Sequence, residues 1–252
     1  MVPLLCTIFV NLKDFLLQGE RMKVAVATCR ERVAYWEHTD SLRMAQAYLS
    51  KQGASSIYIA DSPTYIHRGR ERLMNGFLNQ TDADFLCYVD SDNTLPPESL
   101  WNLTQNDADI VGATYFGRRA APAVVAYRWV NEERALHAGI SKEVMEFYRE
   151  NNVQPQARAA CVDIGAPHLW EVDVVGFGCA MIKRHVIEAM SEAYEEVFGG
   201  HGEKLGEDCI FCKRAQDLGF KVHLDLSVQL GHLVTRQITM AHFMAISDWE
   251  ND

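Results

Sequence analysis

A chain of 252 residues with 48% hydrophobic side chains is long enough to bury one sizeable core, and no shift in composition divides it into halves. Its 34 acidic against 24 basic side chains leave a net charge of −10, which argues against general binding to nucleic acid or to anionic lipid, so an anionic substrate needs local cations or a metal. The seven cysteines are scattered without the spacing of a disulfide framework, as suits a reducing, cytoplasmic setting.

The first stretch, "MVPLLCTIFVNLKDFLLQGERM", is apolar for about ten residues before Asn11 and Lys13 interrupt it, too short to span a bilayer. It lacks a basic leader and a small-residue cleavage site, so residues 1–21 read as an N-terminal extension, with room for peripheral association at a membrane. "KVAVATC" and "SSIYIADS" are β-rich runs. Between them "TDSLRMAQAYLSKQG" carries a capping residue, helical periodicity and a terminal glycine, which makes a β-α-β unit. A second helix is expected over about 69–79, leading into a third strand, Phe85 to Val89. Strands alternating with helices indicate a parallel sheet.

"ADIVGATYF" is a further strand, "APAVVAYRW" looks extended, and "SKEVMEFYREN" looks helical, with prolines at 155 and 167 bracketing a loop. "LWEVDVVGFGCAMIKRHVIEAM" reads as a strand, a glycine turn and a helix or further strand. "FGGHGEKLGED", with four glycines, is a loop. "CIFCKRAQDLG" then places Phe211, Ala215 and Leu218 on one helical face, with Gly219 as the stop, and "KVHLDLSV" alternates as a half-buried strand. Cys209 and Cys212 form one C-x-x-C with no second pair to complete a zinc site, so their shared helical face points to packing.

The most informative stretch is "DADFLCYVDSDNTLPPESL". An apolar strand runs into Asp90 and Asp92, and Pro96 and Pro97 show that the chain is soon in a loop. Ligands of open α/β sheets gather outside the carboxyl ends of the strands, where two carboxylates can converge on a divalent metal or its phosphate partner. Aspartates also end strands and make turns, and a lone D-x-D is more often that.

The order of motifs resembles the family 2-like glycosyltransferases of GT-A fold, particularly short single-domain members from bacteria and phages, over about residues 23–233. The resemblance rests on a first strand ending in Thr28, Asp61 after the second strand, an arginine in "RGRERLMNGFL", and the D-x-D of "YVDSDNTLP". It continues in "VDVVGFGCAMIKR", Glu207-Asp208 in "LGEDCIFCKRAQDLGF", and a late histidine in "QLGHL". One departure is that such enzymes often carry Arg-Asn in the early helix, whereas here Glu71 follows Arg70.

The resemblance implies a GT-A α/β fold, a Rossmann-like and mostly parallel central sheet flanked by helices, over residues 22–235, with 236–252 as a tail. It implies a metal-dependent, inverting transfer of a sugar from a nucleotide-diphosphate sugar to an acceptor hydroxyl. Mn2+ or Mg2+ would be held by Asp92 and His232, with Asp90 reaching it through water or holding the ribose. Asp208, beside Glu207, would take the acceptor's proton. Thr28 and Asp61 would face the nucleoside, Arg68 or Arg70 would pair with phosphate, and Gly176 and Gly178 would turn tightly against the sugar pocket. Each has a plainer reading: strand termination for Thr28 and Asp61, a helix cap for Glu207 and Asp208, a solvated face for the arginines, a surface turn for His232.

Two rivals remain. "CYVDSDNTL" also resembles the start of a haloacid-dehalogenase-type phosphatase with Asp90 as nucleophile, although that motif follows a first strand and reads D-x-D-G, where this chain has Asn93. A non-catalytic nucleotide-sugar-binding module on the same fold is the other.

Overall fold

The computed structural model describes residues 21–30, 35–118, 123–129, 168–199 and 205–234. Residues 1–20 of the extension, the tail, the "SKEVMEFYREN" segment expected to be helical, the prolines at 155 and 167, and residues 200–204 of the glycine loop lie outside the described residues.

The "KVAVATC" run forms β1 (Lys23–Cys29), followed by α1 (Trp36–Lys51), β2 (Ser55–Asp61), α2 (Ile66–Gln80) and β3 (Phe85–Val89). β1 is buried on both faces, which is why it reads as an unbroken apolar run. Val24 and Val26 belong to one core layer with Leu42, Ala45 and Leu49 of α1. Ala25, Ala27 and Cys29 belong to the other, with Leu73, Met74 and Phe77 of α2. β2 is an edge strand, so Ile57 and Tyr58 are exposed although the segment is β-rich.

The chain continues through β4 (Asn93–Thr94), α3 (Ser99–Thr104), β5 (Ile110–Thr114), β6 (Ala126–Tyr127), β7 (Leu169–Val172), β8 (Val174–Val175) and β9 (Cys179–Lys183). It then forms α4 (Arg184–Ala193), α5 (Glu207–Asp217), β10 (Val222–Gln229) and β11 (Gly231–His232). The main sheet runs β2-β1-β3-β9-β5-β10-β7. β2, β1, β3, β5 and β10 point the same way, and β9 and β7 oppose them. Because β9 is reversed, its first residue Cys179 lies beside Val89, the last residue of β3. The glycine stretch before β9 is thereby delivered to the carboxyl edge, where the Asp90 N–H donates to the Gly178 carbonyl at 3.0 Å.

Several local expectations shift. α1 starts at Trp36 rather than behind a capping threonine, since Thr39 already lies in the first turn, its amide and hydroxyl both bonded to the Tyr35 carbonyl. α2 begins at Ile66, three residues before Gly69. Leu218 is 39% exposed and caps α5. The chain turns at Gly219, with φ +90°, so that the Phe220 amide bonds back to the Ala215 carbonyl and Phe220 packs on the core instead. The alternation of β10 breaks at Asp225, which is buried and accepts from Asn106 Nδ2 at 2.7 Å and from the Ser227 N–H and hydroxyl. The register against β5 slips between Asp225 and Gln229, a bulge that re-aims the strand toward β11.

Gly176 and Gly178 do turn tightly, but against Tyr115. A Cβ at 176 would stand 2.1 Å from the Tyr115 hydroxyl and one at 178 would stand 2.6 Å from Tyr115 Cζ. Neither has a positive φ, so lack of space is what demands glycine. Gly176→Ala is therefore expected to destabilise the fold by about 1–3 kcal/mol through overpacking. Chemical denaturation measures it, and an unchanged midpoint would show that the Tyr115 ring yields without cost.

Candidate active site

The carboxyl edge of the sheet gathers most of the residues singled out in the sequence. The amide of Asn93 bonds to the Asp90 carbonyl at 3.1 Å, so residues 90–93 make a tight turn directly after β3. β4 and β11 then pair antiparallel, with His232 opposite Asn93 and the Leu233 N–H donating to the Asp92 carbonyl at 2.7 Å. This two-stranded ladder brings His232 Nε2 to 3.6 Å from Asp92 Oδ2. His232 Nδ1–H donates to the Phe116 carbonyl at 2.7 Å, and the edge of the ring packs on Tyr115 at 5.6 Å between centroids. A carbonyl only accepts, so Nδ1 carries the proton and the Nε2 lone pair accepts the Arg118 Nε–H at 2.9 Å.

Asp90 has a different environment. Arg70 Nη2 binds it at 3.0 Å while Arg70 Nη1 binds Glu207 Oε1 at 2.6 Å. The guanidinium is buried, lies 5.1 Å above the Phe177 ring, and does not belong to a solvated face. Burial pulls its pKa down, but the charges of Asp90, Glu207 and Asp208 outweigh that and hold it above the ordinary arginine value. Beneath it Tyr88, Phe177, Phe198 and Phe211 stack and meet edge to face, and the Tyr88 hydroxyl donates to the Arg70 carbonyl at 2.8 Å. Glu71, the departure from Arg-Asn, accepts from the amides of Val197 and Phe198, so it pins the chain beyond α4.

α5 opens at Glu207 with Gly206 in the cap position, so both acidic residues lie inside its first turn rather than at the cap. Asp208 is half-buried and accepts the Cys209 N–H at 2.7 Å. Burial, then the Asp208 charge, push the Cys209 thiol up to about 12, and burial raises Cys212 as well, which leaves the C-x-x-C as packing. Thr28 is fully buried at the end of β1. Asp61, opposite Cys29, holds Arg72 Nε at 2.7 Å and the Ser62 N–H. Arg68 is exposed on the first turn of α2.

Three site residues escaped the sequence reading. Tyr115 and Arg118 follow β5 in "TYFGRR", and the rule that drew attention to Asp90, a polar residue just past a strand end, applied there too. His38 lies on the buried stripe of α1, and its Nδ1–H donates to the Asn93 carbonyl at 2.8 Å. Burial holds its pKa below the ordinary 6.5. The stability gained by keeping it neutral is complete above 6.5 and is lost as pH falls from there through the lower folded value. Melting of the wild type between pH 7.5 and 5.5 should therefore fall more steeply than that of His38→Asn; parallel curves would remove His38 from this account.

Whether a divalent cation fits was tested on the donor set. Asp92 and His232 give one carboxylate and one correctly protonated imidazole, chemistry that suits Mn2+ and tolerates Mg2+. Asp90 is turned to Arg70, so the expected trio does not form one cluster. Among the described residues no group of three His, Cys, Asp or Glu is close enough to hold a metal.

No protein-family model matches the sequence, and neither does any curated protein. Solved structures do match. A197 from STIV is 15% identical with a TM-score of 0.51, covering 85% of this chain and 86% of that one. GalNAc-T7, crystallised with UDP, GalNAc and Mn2+, is 9% identical with a TM-score of 0.53. The fold is of the GT-A type. The alignment with GalNAc-T7 covers 86% of this chain but only 44% of that protein, and at this identity the likeness concerns the fold alone. Within the described residues no helix is long and apolar enough to cross a membrane.

Proposed function

We propose that the protein is a metal-dependent glycosyltransferase moving a sugar from a nucleotide-diphosphate sugar to an acceptor hydroxyl with inversion. The observation that carries this reading is the meeting of Asp92 and His232, distant in sequence, at the sheet edge where Arg70 ties Asp90 to the start of α5. Support also comes from GalNAc-T7, whose similar fold was crystallised with UDP, GalNAc and Mn2+. Asp92 and His232 would hold Mn2+ or Mg2+, which supplies Lewis-acid stabilisation of the departing diphosphate. Asp61 faces the nucleoside, whereas Thr28 is buried at the end of β1 and does not reach it; Asp90 is oriented by Arg70 toward the ribose, and exposed Arg68 meets phosphate. Asp208 takes the proton of the acceptor hydroxyl as that oxygen attacks the anomeric carbon and the nucleoside diphosphate leaves. Glu207 acts through Arg70. The domain assigned to this work spans residues 22–235.

A panel of nucleotide sugars assayed for metal-dependent binding and slow hydrolysis tests the proposal without knowledge of the acceptor. Release of nucleoside diphosphate is expected. Inorganic phosphate, with a phosphoryl adduct trapped on Asp90, would make the protein a phosphatase instead. His232→Ala is expected to weaken metal-dependent nucleotide binding by at least about 10–100-fold, the range for disturbing even the surroundings of a metal ligand. Calorimetry reads it, and unchanged binding in excess chelator would remove the metal from the scheme.

A further inference from the structure

Arg118 stands where a cation is wanted. Its Nε–H donates to His232 Nε2 at 2.9 Å, and its Nη2 pairs with Asp92 Oδ2. One guanidinium thus occupies both lone pairs that a divalent ion would use. The two anionic or basic partners are fixed. The Asp92 side chain is only 9% exposed, and the His232 ring is held by the Phe116 carbonyl on one side and Tyr115 on another. The Arg118 side chain is 44% exposed on the stretch beyond β5, so it is the member of the trio with an open way out.

We propose that Arg118 and the divalent cation compete for Asp92 and His232, and that the displaced guanidinium pairs with the diphosphate, so that metal and diphosphate load together. The inference rests on the metal-dependent reading above and adds to it a cause for coupled loading. Asp92 contributes a single negative charge, and the nearby Asp90 is already bound by Arg70. A bare divalent ion therefore has to expel Arg118 from its ion pair and take Asp92 away from the guanidinium. A diphosphate removes that obstacle, because its oxygens complete the metal's coordination and also accept the planar arginine fork. Metal alone binds against Arg118, and metal with diphosphate binds with its help.

The test follows unbound Mn2+ by electron paramagnetic resonance, with Mn2+ alone and with inorganic pyrophosphate at matched free Mn2+. Arg118→Met is expected to bind Mn2+ alone about tenfold more tightly than wild type, since a charge-assisted pair no longer competes. The gain in Mn2+ affinity that pyrophosphate gives the wild type should shrink by about the same factor. Arg118→Lys keeps the charge without the fork and is expected to fall between the two. Adding His232→Ala to Arg118→Met should abolish the gain in Mn2+ affinity. If His232-dependent Mn2+ binding exists and Arg118→Met leaves it unchanged or weaker, the inference is overturned and the metal reading stands. If neither protein binds Mn2+ in a His232-dependent way, both are overturned.

Discussion

Replacing Asp208 with asparagine is expected to lower transfer about 10²–10⁴-fold, the range for removing a positioned general base. Metal and nucleotide affinity should hardly change, because Asp92 and His232 are untouched. Asparagine retains an oxygen that can accept the Cys209 N–H, so that bond survives. The loss of a carboxylate in the first turn of α5 costs only about 0.3–1 kcal/mol of dipole interaction. Turnover and thermal melting measured on the same variant therefore separate catalysis from folding. A folded Asp208→Asn protein with near wild-type transfer would exclude the base role and favour a retaining mechanism, which needs no such group.

Arg70→Met should be the most damaging single change to stability. It keeps an apolar stem over Phe177 but leaves Asp90 and Glu207 facing each other at the sheet edge without their cation. Breaking a buried ion pair by removing one partner costs about 3–5 kcal/mol, and the partial exposure of Asp90 and Glu207 places this case near the lower figure. Combining it with Glu207→Gln should restore part of the loss, because only one charge is then uncompensated. Additive losses in a double-mutant cycle by denaturant titration would show that the three side chains do not act as a unit. The fall in activity should exceed what the unfolded fraction explains, since Arg70 links the turn holding Asp92 to the helix holding Asp208.

The elements that were legible were those whose signal is local. β1 and β3 coincide with their apolar runs, and Gly219 ends α5 as its φ requires. Asp92 and His232 could be paired in advance only through the order of motifs, because the ladder of β4 with β11 and the bulge at Asp225 join segments whose spacing along the chain says nothing of their meeting. Arg70 was legible as an arginine of interest but not as a buried one. Its burial depends on Asp90 and Glu207 arriving from two other elements, and an amphipathic helix pattern places arginine outside. The contact of Gly176 and Gly178 with Tyr115 was hidden for the same reason: a glycine reveals that space is short without naming what fills it.

The reversed strand β9 has a consequence for how the molecule comes to be made. β3 and β5 are not hydrogen-bonded to each other; the edges they turn toward one another are both filled by β9, which is synthesised long after both. As the polypeptide leaves the ribosome, β3 and β5 each present an open edge of unsatisfied amides and carbonyls until residues 179–183 emerge and insert between them. The nascent chain is thus most prone to mispairing over the interval in which the Asp90–Asn93 turn is complete and its glycine neighbours are not. Pairing across such separations closes large loops, which slows the steps that complete the site.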